Sequence, residues 1–318
     1  MMPSLVSKIR RRLDRRVSTL AGAAISHPSV HRLREKWYAR ALESHRSVLQ
    51  PLSGVSGQIV ADLKSGGISQ LLLAGLGIPG SSQLITLGQE LVAQELADFH
   101  SQADAGRTFL MMRPAPVIAN PEVYLFGLNP VFLDIAEAYV GLPVAYDGVS
   151  IQYTLANGDE EATRMWHRDR EDRKMLKIVL YLNDVQGDDG PFELLSKKFE
   201  PGTREPRYFL NAEERIALAA GKLGTPVSCE GPSGTAIFAD TANYFHRGKP
   251  AIGRNRAAVF FSYFAQRPEY PFFCDRSGLP RSEIRRMVRG LTARQQRAAL
   301  WREKLPLPLR LIPSYPVV

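Results

Sequence analysis

Cysteine is scarce in this chain. Cys229 and Cys274, well separated, are the only two among 318 residues. That excludes a disulfide-stapled scaffold and any thiolate metal cluster, and it fits free thiols in a reducing compartment. Long apolar runs are missing as well. The stretches around Leu71-Leu72-Leu73 and Leu180 fall well short of the roughly 18 apolar residues that a membrane-spanning helix needs. No internal repeat and no low-complexity block is present, which argues against solenoids and propellers. The first 25 residues lack the strong apolar stretch and cleavage site of a secretory signal, and Arg15-Arg16 lacks the rest of a twin-arginine pattern. The expected location is therefore the cytoplasm, membrane surface included.

What is present is an ordinary globular composition with an uneven charge. Apolar residues make up 44% and charged residues 23%, enough for a sizeable core. The formal net charge is +9. Residues 1–50 carry eleven Lys/Arg against three Asp/Glu, and residues 276–318 carry ten against two. The stretch between them is mildly acidic. Basic ends of this kind suit anionic lipid headgroups, nucleic acid or an acidic partner, or are simply solvated helix faces. Nucleic acid is the least supported partner, because only Trp37, Tyr38 and Trp301 interleave with the basic residues. Peripheral contact with an anionic membrane is the alternative carried forward.

Periodicity divides the chain. Over residues 4–50, Leu5, Ile9, Leu13, Val17 and Leu20 recur at spacings of three or four, which predicts a helix with an Arg-rich opposite face. Pro51 to Gly57 is a break. A short helix is expected over 58–64, a longer one over 84–101, and another from Asn129-Pro130 to Tyr139, stopped by Gly141. From about residue 143 short apolar runs alternate with turn residues. Val144–Leu155, Leu176–Leu182, Phe192–Leu195, Ala236–Phe238 and Ala257–Phe264 are the predicted strands of a sandwich or barrel. Helical spacing returns over Ser282–Lys304, and Leu305–Val318 is expected to be an extended tail. The predicted organisation is a basic helical extension (1–57), a core with supporting helices (58–275) and a basic C-terminal helix with a Pro-containing tail (276–318). The fold class is α+β, with helices packed outside a jelly roll.

The chemistry concentrates in the β half. His167 and Asp169 stand two apart in Met165-Trp166-His167-Arg168-Asp169. On an extended segment such residues point the same way, so both can ligate one ion. His246, from a distant strand, would complete a set of two imidazoles and one carboxylate, which suits Fe(II) with coordination positions left open. Asp172, five residues from His167, falls on the opposite face. A protein-kinase reading of His-Arg-Asp is excluded, because Lys174 stands where the required Asn would be and no Gly-rich loop or Asp-Phe-Gly occurs.

Trp166-His167-Arg168-Asp169, then Lys177-Ile178-Val179-Leu180-Tyr181-Leu182-Asn183-Asp184-Val185, Gly190-Pro191-Phe192, His246 and Arg256 together resemble the phytanoyl-CoA dioxygenase family of Fe(II)/2-oxoglutarate-dependent oxygenases. The resemblance covers roughly residues 145–265. It implies a double-stranded β-helix holding Fe(II) through His167, Asp169 and His246, with 2-oxoglutarate and O2 as cosubstrates and succinate and CO2 released as a substrate is hydroxylated. It also implies that Arg256 grips the far carboxylate of 2-oxoglutarate, on a strand running antiparallel to the His246 segment. A guanidinium suits that task because it binds a carboxylate through two parallel hydrogen bonds. Arg254 is the alternative for this role.

Lys177 either touches the cosubstrate or extends to solvent, and Gln152 and Tyr153 are candidate donors to 2-oxoglutarate. Trp166 is a packing residue or a substrate wall. The expected substrate is a small-molecule or lipid-linked metabolite of anionic character. Other readings stay open here: a His/His/Asp zinc hydrolase, which gives Arg256 no task; a non-catalytic cupin-like metal-binding protein; and a nucleic-acid- or protein-directed oxygenase. Oligomeric state is not legible.

Overall fold

A computed structural model describes residues 5–107, 110–198, 209–210, 212–275 and 277–314. Its strands form two antiparallel sheets. The larger has the order β1-β7-β4-β9-β3-β2, with β1 Ile68–Leu72, β2 Leu110–Met111, β3 Val144–Thr154, β4 Leu176–Tyr181, β7 Thr235–Asp240 and β9 Arg256–Ala265. The smaller has the order β6-β5-β8, with β5 Phe192–Leu195, β6 Pro226–Cys229 and β8 His246–Gly248. Its apolar inner side packs on the larger sheet through one buried cluster, in which Phe192, Leu194 and Cys229 meet Val179, Tyr181 and Phe260.

The register of the larger sheet sorts its residues onto two faces. Val179 pairs with both Phe260 and Ile237, and Gln152 pairs with Ala258. Directly paired residues point to the same side. One face therefore carries Lys177, Val179 and Tyr181 with Arg256, Ala258 and Phe260, and turns toward the smaller sheet. The other carries Ile178, Leu180, Val259, Phe261 and Phe238, and belongs to the main core. Because both faces are covered, β4 and β9 are buried at every residue. This is why they appear in the sequence as unbroken apolar runs.

Helices cover the outer face. They are α3 Gly54–Gly66, α4 Ser81–Gln94, α5 Leu96–Asp104, α6 Pro114–Ala119, α7 Pro121–Phe126 and α8 Pro130–Val140. α8 shows how local sequence sets its ends. The Asn129 side chain accepts from the Phe132 N–H, Pro130 opens the first turn, and Gly141 closes the last at φ +85°. Its buried residues Phe132, Ile135, Ala136 and Tyr139 form one apolar stripe.

Several expectations need correction. The N-terminal helix is two, α1 Leu5–Ser26 and α2 Pro28–Arg46, because Pro28 cannot donate a helical hydrogen bond and starts a new helix instead. The helix expected over 84–101 divides at Glu95 into α4 and α5. α9 Ala212–Ala219 lies between β5 and β6. The expected helix over 282–304 is α10 Arg281–Met287 and α11 Ala293–Ala299, separated by Gly290 at φ +91°; a 3-10 turn at Trp301–Lys304 follows. The tail is not extended throughout, since Leu307–Leu311 forms α12. Residues 315–318 of that tail lie outside the described residues. No described helix is long and apolar enough to cross a membrane.

Candidate metal centre

The segment after β3 brings His167 and Asp169 against the turn that follows β7. The backbone N–H of His167 donates to the carbonyl of His246 at 3.0 Å, and the reverse bond is 2.9 Å. Two residues on, the Asp169 N–H donates to the Thr241 carbonyl at 2.8 Å. This short ladder puts the two histidine rings 4.3 Å apart between centroids. His246 Nε2 lies 3.9 Å from Asp169 Oδ2. One ligating atom from each of the three residues falls within 4.8 Å of the others, and all three residues are buried. A small adjustment would bring them to one ion at bonds of roughly 2 Å.

The rings are held in the form a metal needs. His167 Nδ1 lies 2.8 Å from the Met165 carbonyl, and His246 Nδ1 lies 3.3 Å from the Tyr244 carbonyl. With Nδ1 engaged on a carbonyl, Nε2 is the nitrogen each ring presents to a metal. Burial, then the neighbouring His167, pulls the His246 pKa well below its ordinary value, so this imidazole is neutral. Phe192 stacks on the His246 ring, with centroids 5.6 Å apart.

The delivery of His246 depends on a residue that sequence reasoning missed. Asp240 ends β7 fully buried, and burial pushes its carboxyl pKa up. One oxygen accepts from the N–H groups of Ala242 and Asn243, each at 3.1 Å; the other accepts from the Asn243 amide at 2.8 Å and from the Tyr139 hydroxyl. The carboxylate thus shapes the turn leading to His246. Its only sequence signal is an Asp opening Asp-Thr-Ala-Asn, a pattern common to many turns.

Lys177 does not extend to solvent. It is buried on the inner face of β4, with Nζ 2.6 Å from Asp169 Oδ2. A charge-assisted bond of this length fixes the orientation of the carboxylate. Asp172 is no ligand. Its carboxylate accepts from the N–H groups of Arg173, Ala265 and Glu269, and so ties the loop to the end of β9. Trp166 is a packing residue, buried with Leu195, Leu210 and Phe245 beneath the Arg247 guanidinium.

Arg256 opens β9 beside this centre. Its strand pairs with β3 and β4, while the strand of His246 belongs to the smaller sheet. The two segments do not pair with each other and belong to the two opposed sheets. The guanidinium is buried, donating to the Gly190 carbonyl and to Thr154 Oγ1 at 3.2 Å. Its Nε finds no hydrogen-bond partner, and no carboxylate among the described residues pairs with it. Gly248 makes room for it, since a Cβ there would lie 2.7 Å from Arg256 Nη2. Arg254 is instead exposed and paired with Asp189 at 2.8 Å.

A pocket of about 610 Å³, open to solvent, joins these groups and is lined among others by His167, His246, Lys177, Arg256, Gln152 and Thr154. Gln152 shares the inner face with Arg256. Tyr153 borders the pocket, but its ring turns the other way and stacks on Phe99 at 5.1 Å, while its hydroxyl accepts from Asn255 at 2.9 Å. Arg164, which has no signal in the sequence, also stands in the pocket wall. It is buried and bonded to the Leu155 and Asp159 carbonyls, which closes the loop after β3. Three cations, Lys177, Arg164 and Arg256, thus line the pocket.

No protein-family model and no curated protein matches the chain. Solved structures similar to it include EctD from S. alaskensis with 2-oxoglutarate and 5-hydroxyectoine. That likeness has 21% identity and a TM-score of 0.47, over 68% of this chain and 77% of that one. The non-heme alpha-ketoglutarate-dependent carbocyclase SnoK from nogalamycin biosynthesis shows 13% identity and a TM-score of 0.47, over 68% and 88%. HygX from Streptomyces hygroscopicus, with nickel and 2-oxoglutarate bound, shows 15% identity and a TM-score of 0.44, over 68% and 88%.

Proposed function

We propose that this protein is an Fe(II)/2-oxoglutarate-dependent dioxygenase of the phytanoyl-CoA dioxygenase type, its sandwich a double-stranded β-helix. The carrying observation is the juxtaposition of His167, Asp169 and His246, their ligating atoms within 4.8 Å, with the buried Arg256 guanidinium, which pairs with no carboxylate among the described residues. A buried cation is costly unless an anion or hydrogen bonds satisfy it. Arg256 has two of its nitrogens bonded and one waiting, which supports the binding of an anionic guest beside the metal. A zinc hydrolase would leave that cation without a task.

The residues fit the implied group. Two imidazoles and one carboxylate suit Fe(II) and leave coordination positions open. The bound metal would supply oxygen activation coupled to oxidative decarboxylation of 2-oxoglutarate, with succinate and CO2 as products. The protein does the rest. His167, Asp169 and His246 hold the ion, and Lys177 keeps Asp169 oriented. Arg256 and Thr154 would receive the distal carboxylate of the cosubstrate, with Gln152 beside them. Phe192 and Phe260 keep that end of the pocket dry. Arg164 and Lys177 bias the open side toward a small or lipid-linked metabolite of anionic character.

The test is a metabolite screen for substrate-stimulated succinate release, with His167→Ala as control. Iron-loaded protein that binds no 2-oxoglutarate would sink the proposal and favour a non-catalytic metal-binding role. Metal-dependent hydrolysis without succinate release would favour the zinc reading.

A further inference from the structure

The helical hairpin formed by α1 and α2 is oriented against the ordinary rule of burial. On α1 the residues turned to the body are small or polar. Ser18 is buried and donates to the Pro313 carbonyl at 3.0 Å, Gly22 faces the Phe272 ring, and Ser26 bonds the Tyr270 hydroxyl at 2.9 Å. The bulky apolar residues Leu13, Val17 and Leu20, spaced by four and three, are exposed, Leu20 at 70%. α2 is apolar on two sides. Tyr38, Ala41 and Leu42 pack on the core, while Val30, Leu33 and Trp37 are exposed at spacings of three and four. Two apolar stripes therefore lie on the sides turned away from the body.

The charges beside these stripes are of one sign. Arg12, Arg16, Arg32, Lys36 and Arg40 are all exposed. The acidic residues of the hairpin are withdrawn or neutralised: Asp14 is half-buried, Glu35 pairs with Arg173 at 2.5 Å, and Glu43 pairs with Arg46 at 3.6 Å. An exposed apolar stripe edged by cations is complementary to a bilayer surface, whose headgroups are anionic and whose acyl boundary is apolar. A second copy of the chain fits poorly, because symmetric pairing would set the same basic residues against each other. Nucleic acid accounts for the cations but not for the apolar stripes.

We propose that the α1–α2 hairpin docks the protein on an anionic lipid surface, with Leu13, Val17, Leu20, Val30, Leu33 and Trp37 entering the headgroup region. The hairpin is fastened to the segment that carries Asp169, through Glu35 on Arg173. Docking would therefore hold the catalytic body directly against the bilayer.

Tryptophan reports this contact. Trp37 is 58% exposed, whereas Trp166 and Trp301 are 7% and 3% exposed. Full-length protein is mixed with phosphatidylcholine vesicles, with or without about a third phosphatidylglycerol. The expected result is a blue shift of emission with the anionic vesicles alone and at least about tenfold tighter co-sedimentation, weakened by salt. Leu13→Ser with Leu20→Ser should abolish the binding, and Arg12→Gln with Arg16→Gln should weaken it several-fold. The second pair keeps the test decisive if the first impairs folding. Emission unchanged by anionic vesicles, equal affinity for both vesicle types, self-association lost in the Leu20 variant, or tighter capture by nucleic acid would each overturn the proposal.

Discussion

The two faces of the larger sheet use the same strands for opposite ends. Along β9 the inner face carries Arg256, Ala258, Phe260 and Ser262, and the outer face carries Ala257, Val259, Phe261 and Tyr263. Along β4, Lys177 alternates with Ile178 and Leu180 in the same way. Both faces are buried, but for different returns. The outer face gains stability from apolar area removed from water. The inner face holds a lysine and an arginine opposite two histidines and an aspartate, in a place where each is costly. A site of this kind survives because the other side of the same strands anchors it.

The sharpest way to break the comparison is to remove one ligand. His246→Ala should lower Fe(II) or Co(II) affinity by more than about 100-fold and reduce succinate release to background. The melting temperature should move by less than about 4 °C, since no outer-face contact is lost. Metal titration by calorimetry with a parallel thermal scan would check both. A collapse of the fold would show that the faces are not separable.

The converse experiment acts on the outer face. The Phe261 ring is fully buried, 5.7 Å from Phe132 and 6.2 Å from Phe126. Phe261→Ala should cost about 3–5 kcal/mol of unfolding free energy, read from denaturant curves. Metal affinity per folded molecule should stay unchanged. A matching loss of affinity would mean that packing of the outer face sets the ligand geometry.

How far this division was legible in the sequence depends on what each face asks of it. β4 and β9 are long, apolar and rich in β-branched and aromatic residues, so their existence was plain. His167 and Asp169 were legible because a spacing of two has one meaning on an extended segment. β1, β6 and β8 were not, being short and carrying no alternation. The helix breaks at His27 and Gly290 had their signals in Pro28 and Gly290 themselves, which the helical spacing on either side outweighed. Asp240 was invisible because its role depends on Tyr139, more than half the sheet away in sequence terms. The phase of β3 was the subtlest loss. Gln152 and Tyr153 both carry donors, and only the register with Ala258 and Ala257 shows which one faces in.

A smaller effect should follow from reshaping the anion grip. Arg256→Lys keeps the charge but removes the two-pronged geometry. The apparent KM for 2-oxoglutarate should rise about tenfold to a hundredfold, equivalent to the loss of one charged hydrogen bond. Gly248→Ala should act in the same direction and more weakly, by crowding Nη2 rather than removing it. Steady-state kinetics with varied 2-oxoglutarate would rank the two. An unchanged KM in both would remove Arg256 from the proposed cosubstrate site.

The finest division of the two faces falls between neighbours on β3. Gln152→Ala removes an inner-face amide, and the KM for 2-oxoglutarate or substrate should rise by a few fold, consistent with one neutral hydrogen bond of about 1 kcal/mol. Stability should hardly change, because among the described residues the amide bonds only to Ser150, at 3.2 Å. Tyr153→Phe removes an outer-face hydroxyl that accepts from Asn255 at 2.9 Å and leaves the stacking on Phe99 intact. It should cost about 0.5–1.5 kcal/mol in unfolding free energy and leave the kinetics unchanged. The two changes, one residue apart, should therefore appear in different measurements. Kinetic loss in Tyr153→Phe with none in Gln152→Ala would mean that the functional face of β3 has been assigned the wrong way round.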